Sequence, residues 1–155
     1  VKNLTIIISS ISALNILNRR IENGEISPKV IFLPGELNSE NQYVGGPLTI
    51  ETLKRFGVDK CFIGTTAVCE DGAYMYDVYD SSFTSTLIGI SSQVFLLVVS
   101  EKIGKKSLCK FSELSQLDYL ITDDTHVISP SMIAELNRNN VTYICAKKET
   151  FCAEE

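Results

Sequence analysis

A chain of 155 residues with 45% hydrophobic and 21% charged residues can close a core of its own and is too apolar to stay disordered. Nineteen acidic residues against fourteen basic ones leave a net charge of −5. That removes the basic footprint a phosphate backbone demands, so these residues are not expected to touch nucleic acid directly. No apolar run approaches the roughly 18 residues that span a bilayer. No basic stretch precedes the apolar Ile6-Ile7-Ile8, so the expectation is one cytoplasmic domain, 1–155, away from any membrane.

In chain order, short β-branched and aromatic runs alternate with stretches of helical period. The runs are Leu4 to Ile8, Lys29 to Leu33, Lys60 to Ile63, Val94 to Val99, Tyr119 to Thr122 and Val141 to Cys145. Most are apolar at consecutive positions, as strands covered on both faces are. After the first run, Ile11, Leu14, Leu17 and Ile21 form one helical stripe that Asn23-Gly24 closes. Pro47 opens a shorter helix carrying Ile50, Leu53 and Phe56 up to Gly57. Between them the 34–46 loop is long for a strand-to-helix connection and reads either as a lid over the strand ends or as a mobile surface segment.

Farther on, Tyr74, Tyr76 and Tyr79 alternate as in an added half-buried strand or hairpin, with an oligomer interface as the other reading. Residues 81–92 carry Phe83, Leu87 and Ile90 at helical spacing. Ser129 and Pro130 start a last helix over Met132, Ile133 and Leu136 that stops at Asn139-Asn140. The fold class that follows is α/β: an open, mostly parallel sheet with helices on both faces. Five cysteines (61, 69, 109, 145, 152) without a C-x-x-C pair, and a single histidine, His126, read as buried reduced thiols and a loop residue. No metal site, cofactor or catalytic residue is expected.

Ligands of open α/β sheets bind beyond the carboxyl ends of the strands. The residues there are Ser9-Ser10, Pro34-Gly35-Glu36, Gly64-Thr65-Thr66, Ser100-Glu101-Lys102, Asp123-Asp124 and Ala146-Lys147. Gly64-Thr65-Thr66 lets backbone amides and two hydroxyls turn toward an anion, or is an ordinary turn. Lys102 supplies a cation for such an anion, or is solvated charge in a Glu-Lys-Ile-Gly-Lys-Lys loop. Asp123-Asp124 reads as a cap or a solvated pair rather than a cation site. No nucleophile or nucleotide fingerprint occurs.

Several segments, taken together, look familiar. They are Val30 to Leu37 with Pro34-Gly35-Glu36, Gly46-Pro47-Leu48 leading into Glu51-Thr52-Leu53, Val58 to Gly64, Asp71-Gly72, Val94 to Leu97 running through Lys102-Ile103-Gly104, and Leu117 to Asp123. In this order, from Leu4 to Asp123 and on to Cys145, the chain resembles the C-terminal effector-sensing domain of DeoR-type bacterial transcriptional regulators. The resemblance implies a fold related to ribose-5-phosphate isomerase and CoA transferases. It implies a phosphorylated sugar or similar metabolite as effector, and a separate N-terminal winged helix-turn-helix as the part that meets DNA. The expected contacts are Ser9, Ser10, Gly35, Glu36, Gly46, Gly64, Thr65, Thr66, Asp80 and Lys102.

The departures bear on the ligand. The helix-turn-helix and the family's first strand, with its Gly-Thr-Thr loop, have no counterpart upstream of Val1, so the chain is expected to be a fragment of a longer regulator. Ser9-Ser10 stands where the family has Asn-Ser, Val99 where an Asp is usual, and Thr84 where a Lys is usual, while Asp80 keeps the acid. An exposed sheet edge left by the absent first strand would favour pairing between chains, so a homo-oligomer, dimer or tetramer, is expected. The rival readings are an isomerase-like enzyme using Glu36, Asp80 and Lys102 on a sugar phosphate, and a degenerate sensor that only oligomerises.

Overall fold

The computed structural model describes residues 3–146, which divide into two compact units at Phe56/Gly57. In the first, β1 (Thr5–Ile8), α1 (Ile11–Glu22), β2 (Lys29–Phe32), β3 (Glu36–Asn38), β4 (Tyr43–Gly45) and α2 (Pro47–Leu53) follow one another. Strands β1 and β2 pair in parallel, Thr5 against Lys29 through Ile8 against Phe32. Ser10 caps α1 by accepting the Ala13 N–H at 3.2 Å. The helix ends at Asn23, and Gly24 takes a φ of 72° that favours glycine. No residue of α1 is fully buried; Ile11, Leu14 and Leu17 are half-buried and Ile21 is exposed.

The 34–46 segment folds as a hairpin. Glu36 faces Gly45 and Asn38 faces Tyr43 across an antiparallel ladder, and Gln42 turns the chain at a φ of 56°. The hairpin was hidden because each strand is three residues long and the turn between them is polar, so neither shows a periodicity. Among the described residues of this unit, Leu33, Val44, Thr49 and Leu53 are the buried ones.

The second unit contains β5 (Val58–Gly64), β6 (Ala67–Cys69), β7 (Gly72–Met75), α3 (Val78–Gly89), β8 (Ser91–Leu97), β9 (Cys109–Ser112), β10 (Tyr119–Asp123), α4 (Pro130–Arg138) and β11 (Thr142–Ala146). Its main sheet is parallel throughout, in the order β11-β10-β8-β5, and β6-β7-β9 make a second, antiparallel sheet. The α/β class with a parallel sheet is as read from the apolar runs. The tyrosine alternation divides: Tyr74 is buried on β7, Tyr76 is exposed, and Tyr79 belongs to α3. Asp77 explains the break, because its carboxylate caps α3 by accepting the Tyr79 and Asp80 N–H groups at 2.8 and 3.0 Å.

One continuous core fills this unit. Cys61 and Ile63 of β5, Val94 and Leu96 of β8 and Leu120 of β10 point to one face and meet Ile88 of α3 and Met132 and Leu136 of α4. Residues of opposite parity make the other face, where Phe62, Leu97 and Ile144 stay exposed. There Phe62, Phe95 and Tyr119 stack in a ladder with ring centroids 4.8 and 4.4 Å apart, and the Lys60 ammonium lies 5.6 Å from the Phe95 centroid.

Among the described residues the four cysteines are free. Cys61 and Cys69 are buried as expected, Cys109 is half-buried, and Cys145 is exposed because β11 is the edge strand of its sheet. Cys152 lies outside the described residues, as does Lys147. No helix among the described residues is long and apolar enough to cross a membrane.

Candidate functional site

Each unit presents a set of strand ends. In the first, the chain leaving β1 is pinned to β4: the Ser9 carbonyl accepts the Val44 N–H at 2.9 Å, and Ser10 forms a bridge with Tyr43. Leaving β2, the Pro34 carbonyl accepts the Thr49 hydroxyl at 2.7 Å. Gly35 is required at this point, since a Cβ there would stand 2.1 Å from Thr49 Oγ1 and 2.5 Å from the Gly45 carbonyl oxygen. Gly46 enters α2 at a φ of 92°, with the Glu36 carboxyl carbon 3.3 Å from where its Cβ would be. Gly35, Glu36 and Gly46 therefore meet, and β4 joins them to Ser9 and Ser10.

In the second unit the Gly64-Thr65-Thr66 turn leads into the β6–β7 hairpin, and its hydroxyls are taken up there. The buried Thr65 Oγ1 lies 2.8 Å from both the Ala67 and Tyr74 carbonyl oxygens, while Thr66 Oγ1 accepts the Tyr76 N–H at 3.3 Å. These contacts close the hairpin. Asp80 sits in the first turn of α3. Lys102 ends the 3-10 turn Ser100–Lys102, and the next two residues hold that turn against β6 through an Ile103–Val68 bridge and a Gly104 N–H to Val68 carbonyl bond of 2.8 Å. The Lys102 ammonium has no partner among the described residues.

The best-defined polar group is one that spacing alone did not reveal. The Asp123 carboxylate, at the end of β10, accepts the Ser100 N–H at 2.8 Å, the Ser100 hydroxyl at 2.7 Å and the Thr125 N–H at 2.9 Å. Ser100 Oγ in turn accepts the His126 N–H at 3.0 Å. Donors from Thr125 and Ser100 hold the Asp123 carboxyl well below the usual carboxylate range. Although serine, histidine and aspartate meet here, the arrangement is a clamp: Ser100 is 4% exposed and its hydroxyl donates to the carboxylate. Two segments of the resemblance, the Ser-x-Lys turn and the Ile-Thr-Asp ending, are thus tied together in space.

Beside the clamp an open cleft of about 330 Å³ runs over the ends of β8, β10 and β11, lined by Leu97, Val98, Val99, Ile121, Thr122, Asp123 and Ala146. Val99 makes its wall apolar. The Thr122 hydroxyl is buried without a hydrogen-bond partner among the described residues. A second cluster locks the β6–β7 hairpin, where Asp71 accepts the Tyr74 hydroxyl at 2.7 Å and the Cys69 thiol at 2.9 Å and pairs with Lys106. Those bonds, with that from Cys69 the largest contribution, press the Asp71 carboxyl far below its ordinary value.

With this geometry described, comparison with known proteins assigns the chain. The family model for the DeoR C-terminal sensor domain matches residues 1–124. The chain belongs to the DeoR C-terminal sensor-domain family. It is 29% identical over 145 residues to the HTH-type transcriptional repressor GlcR of Bacillus subtilis, covering 94% of this chain and 54% of that protein. Over 123 residues it is 29% identical to the lactose phosphotransferase system repressor of Staphylococcus epidermidis, with 79% and 47% covered. The glycerol-3-phosphate regulon repressor of Escherichia coli is 25% identical over 96 residues, with 61% and 38% covered. The sensor chain thus spans about half the length, or less, of these relatives.

Proposed function

We propose that this sensor domain binds a small anionic metabolite, a phosphorylated sugar or a close relative, at its strand carboxyl ends. By this reading its occupancy sets the DNA affinity of a helix-turn-helix carried elsewhere in a cytoplasmic repressor. The observation that carries the proposal is the Lys102 ammonium, without a partner among the described residues, two residues beyond the clamped Ser100: a cation on a turn fixed at a strand end suits an anionic ligand. On the same unit as Lys102, Gly64 at the end of β5 offers the close backbone approach such a ligand uses. The relatives' names, repressors of a lactose phosphotransferase system and of a glycerol-3-phosphate regulon, agree with an effector of this chemistry. Ligand acts by binding one conformation or assembly better than another, since equal affinity shifts nothing.

A thermal-shift screen of this chain, and of any longer polypeptide that carries it, against sugar phosphates and the matching free sugars tests the proposal. Saturation at a hundredfold excess over Kd adds about 2.7 kcal/mol of stability. One ester is expected to raise Tm with its free sugar inert, and K102Q is expected to lose the rise. An equal rise with the free sugar, or a rise unchanged in K102Q, would refute it.

A further inference from the structure

The turn between β6 and β7 is held from several sides. Gly72 takes a φ of 140° there, and a Cβ on it would stand 2.2 Å from the Ser112 carbonyl oxygen, so glycine is required and the turn lies tight against β9. The two acids before it bond to segments distant in sequence. Glu70 accepts the hydroxyl of Ser131, 61 residues along the chain in the first turn of α4, at 2.9 Å. Asp71 accepts the Tyr74 hydroxyl at 2.7 Å and the Cys69 thiol at 2.9 Å, and pairs with Lys106, 35 residues along.

Lys106 ends a segment that begins at the clamped Ser100 and contains Lys102. That segment has three anchors: Ser100 on Asp123, the Gly104 N–H on the Val68 carbonyl of β6 at 2.8 Å, and Lys106 on Asp71. Lys102 stands between the first and the second. An exposed lysine–aspartate pair standing alone stabilises little, because two mobile side chains must be ordered to form it. Here the buried Tyr74 and Cys69 already hold the carboxylate, and Glu70 ties its turn to α4, so Lys106 meets an acceptor fixed in advance.

We infer that Asp71 is a positioning residue of the effector site, which keeps Lys102 in place by fastening the far end of its segment to the β6–β7 turn. The inference rests on the reading of Lys102 as the cation that meets the ligand. Asp71 needs no contact with that ligand. Its charge opposes a phosphate ester, since like charges repel, so its use lies in geometry alone, and neutralising it separates the two effects. By field alone D71N would bind the anion more tightly; by lost positioning it binds more weakly.

Calorimetric titration with the sugar phosphate that raises the Tm of the unaltered chain most tests this on the chain, D71N, K106Q, K106R and K102Q. Circular dichroism melts establish that each is folded at the titration temperature. D71N is expected to weaken binding by about fivefold or more, K106Q to weaken it as well, and K106R, which keeps the pair, to bind like the unaltered chain. In the ligand-free chain D71N is expected to speed hydrogen exchange at the Gly104 amide by about tenfold while the amides of β8 and β10 keep their rates. A D71N that binds as tightly as the unaltered chain or more so, or an exchange rate that rises equally in β8 and β10, would overturn the inference. If K102Q binds normally, or no sugar phosphate binds, the reading of Lys102 falls and this inference with it. Weakened binding in K102Q beside normal binding in D71N sinks this inference alone.

Discussion

The two faces of the β5–β8–β10–β11 sheet are built from alternate residues of the same strands and have opposite fates. On one, Leu96 and Leu120 are wholly buried against α3 and α4; on the other, Phe62 and Leu97 remain exposed beside a ladder of stacked rings. The covered face holds the unit together. The open face stays exposed, although it too carries large apolar residues in the sequence.

The contrast is broken most severely from the covered side. L96A or L120A removes a fully buried side chain and is expected to cost roughly 2–5 kcal/mol, whereas L97A is expected to cost about 0.5–1 kcal/mol. Urea unfolding with an unchanged m-value measures both. Next comes the clamp between the strand ends. S100A deletes a buried hydroxyl that donates to Asp123 and is expected to cost about 1.5–3 kcal/mol, visible in the same unfolding curves.

A milder probe is pH. Asp123 and Asp71 titrate lower in the folded chain than when unfolded, so the stability they contribute is fully present above their unfolded values, about 3.9, and is lost as pH falls toward their folded ones. Melting temperature should therefore drop on acidification below about pH 4, and less steeply in D123N than in the unaltered chain. The gentlest test is thiol labelling. Cys145 is expected to react readily, while Cys61 and Cys69, whose thiol pKa values burial pushes up, are expected to stay protected until the chain unfolds. Peptide mapping after brief alkylation reads the order directly.

Much of this architecture was legible in the residues. Six apolar runs became the parallel strands, and Ser10, Asn23-Gly24, Ser129 and Pro130 marked helix ends by the groups they cap or cannot donate. Strands β3, β4, β6 and β9 were not, because three or four residues carry no measurable alternation and their pairing comes from partners distant in sequence. The division of the parallel strands into a β1–β2 pair and a separate four-stranded sheet was equally invisible, since local patterning says which segments are strands and not which are neighbours.

At the site, Gly35, Glu36 and Gly46 meet as their positions after β2 and before α2 suggested. Gly64-Thr65-Thr66 reads either as an anion-facing turn or as an ordinary one, and the Thr65 and Thr66 hydroxyls are engaged in closing a hairpin. The Ser100–Asp123 clamp joins residues 23 apart. No spacing rule connects them, although both segments were legible as strand ends and both belong to the resemblance.

The central claim is that ligand is read at the strand ends through Lys102. The most direct measurement is an amide-resolved NMR titration of the chain with the sugar phosphate that raises its Tm most. Shifts concentrated at Gly64–Thr66, Ser100–Gly104 and Asp123–Thr125, and absent in K102Q, are predicted. Shifts confined to the open face around Phe62, Phe95 and Tyr119, or a pattern that K102Q leaves intact, would contradict it.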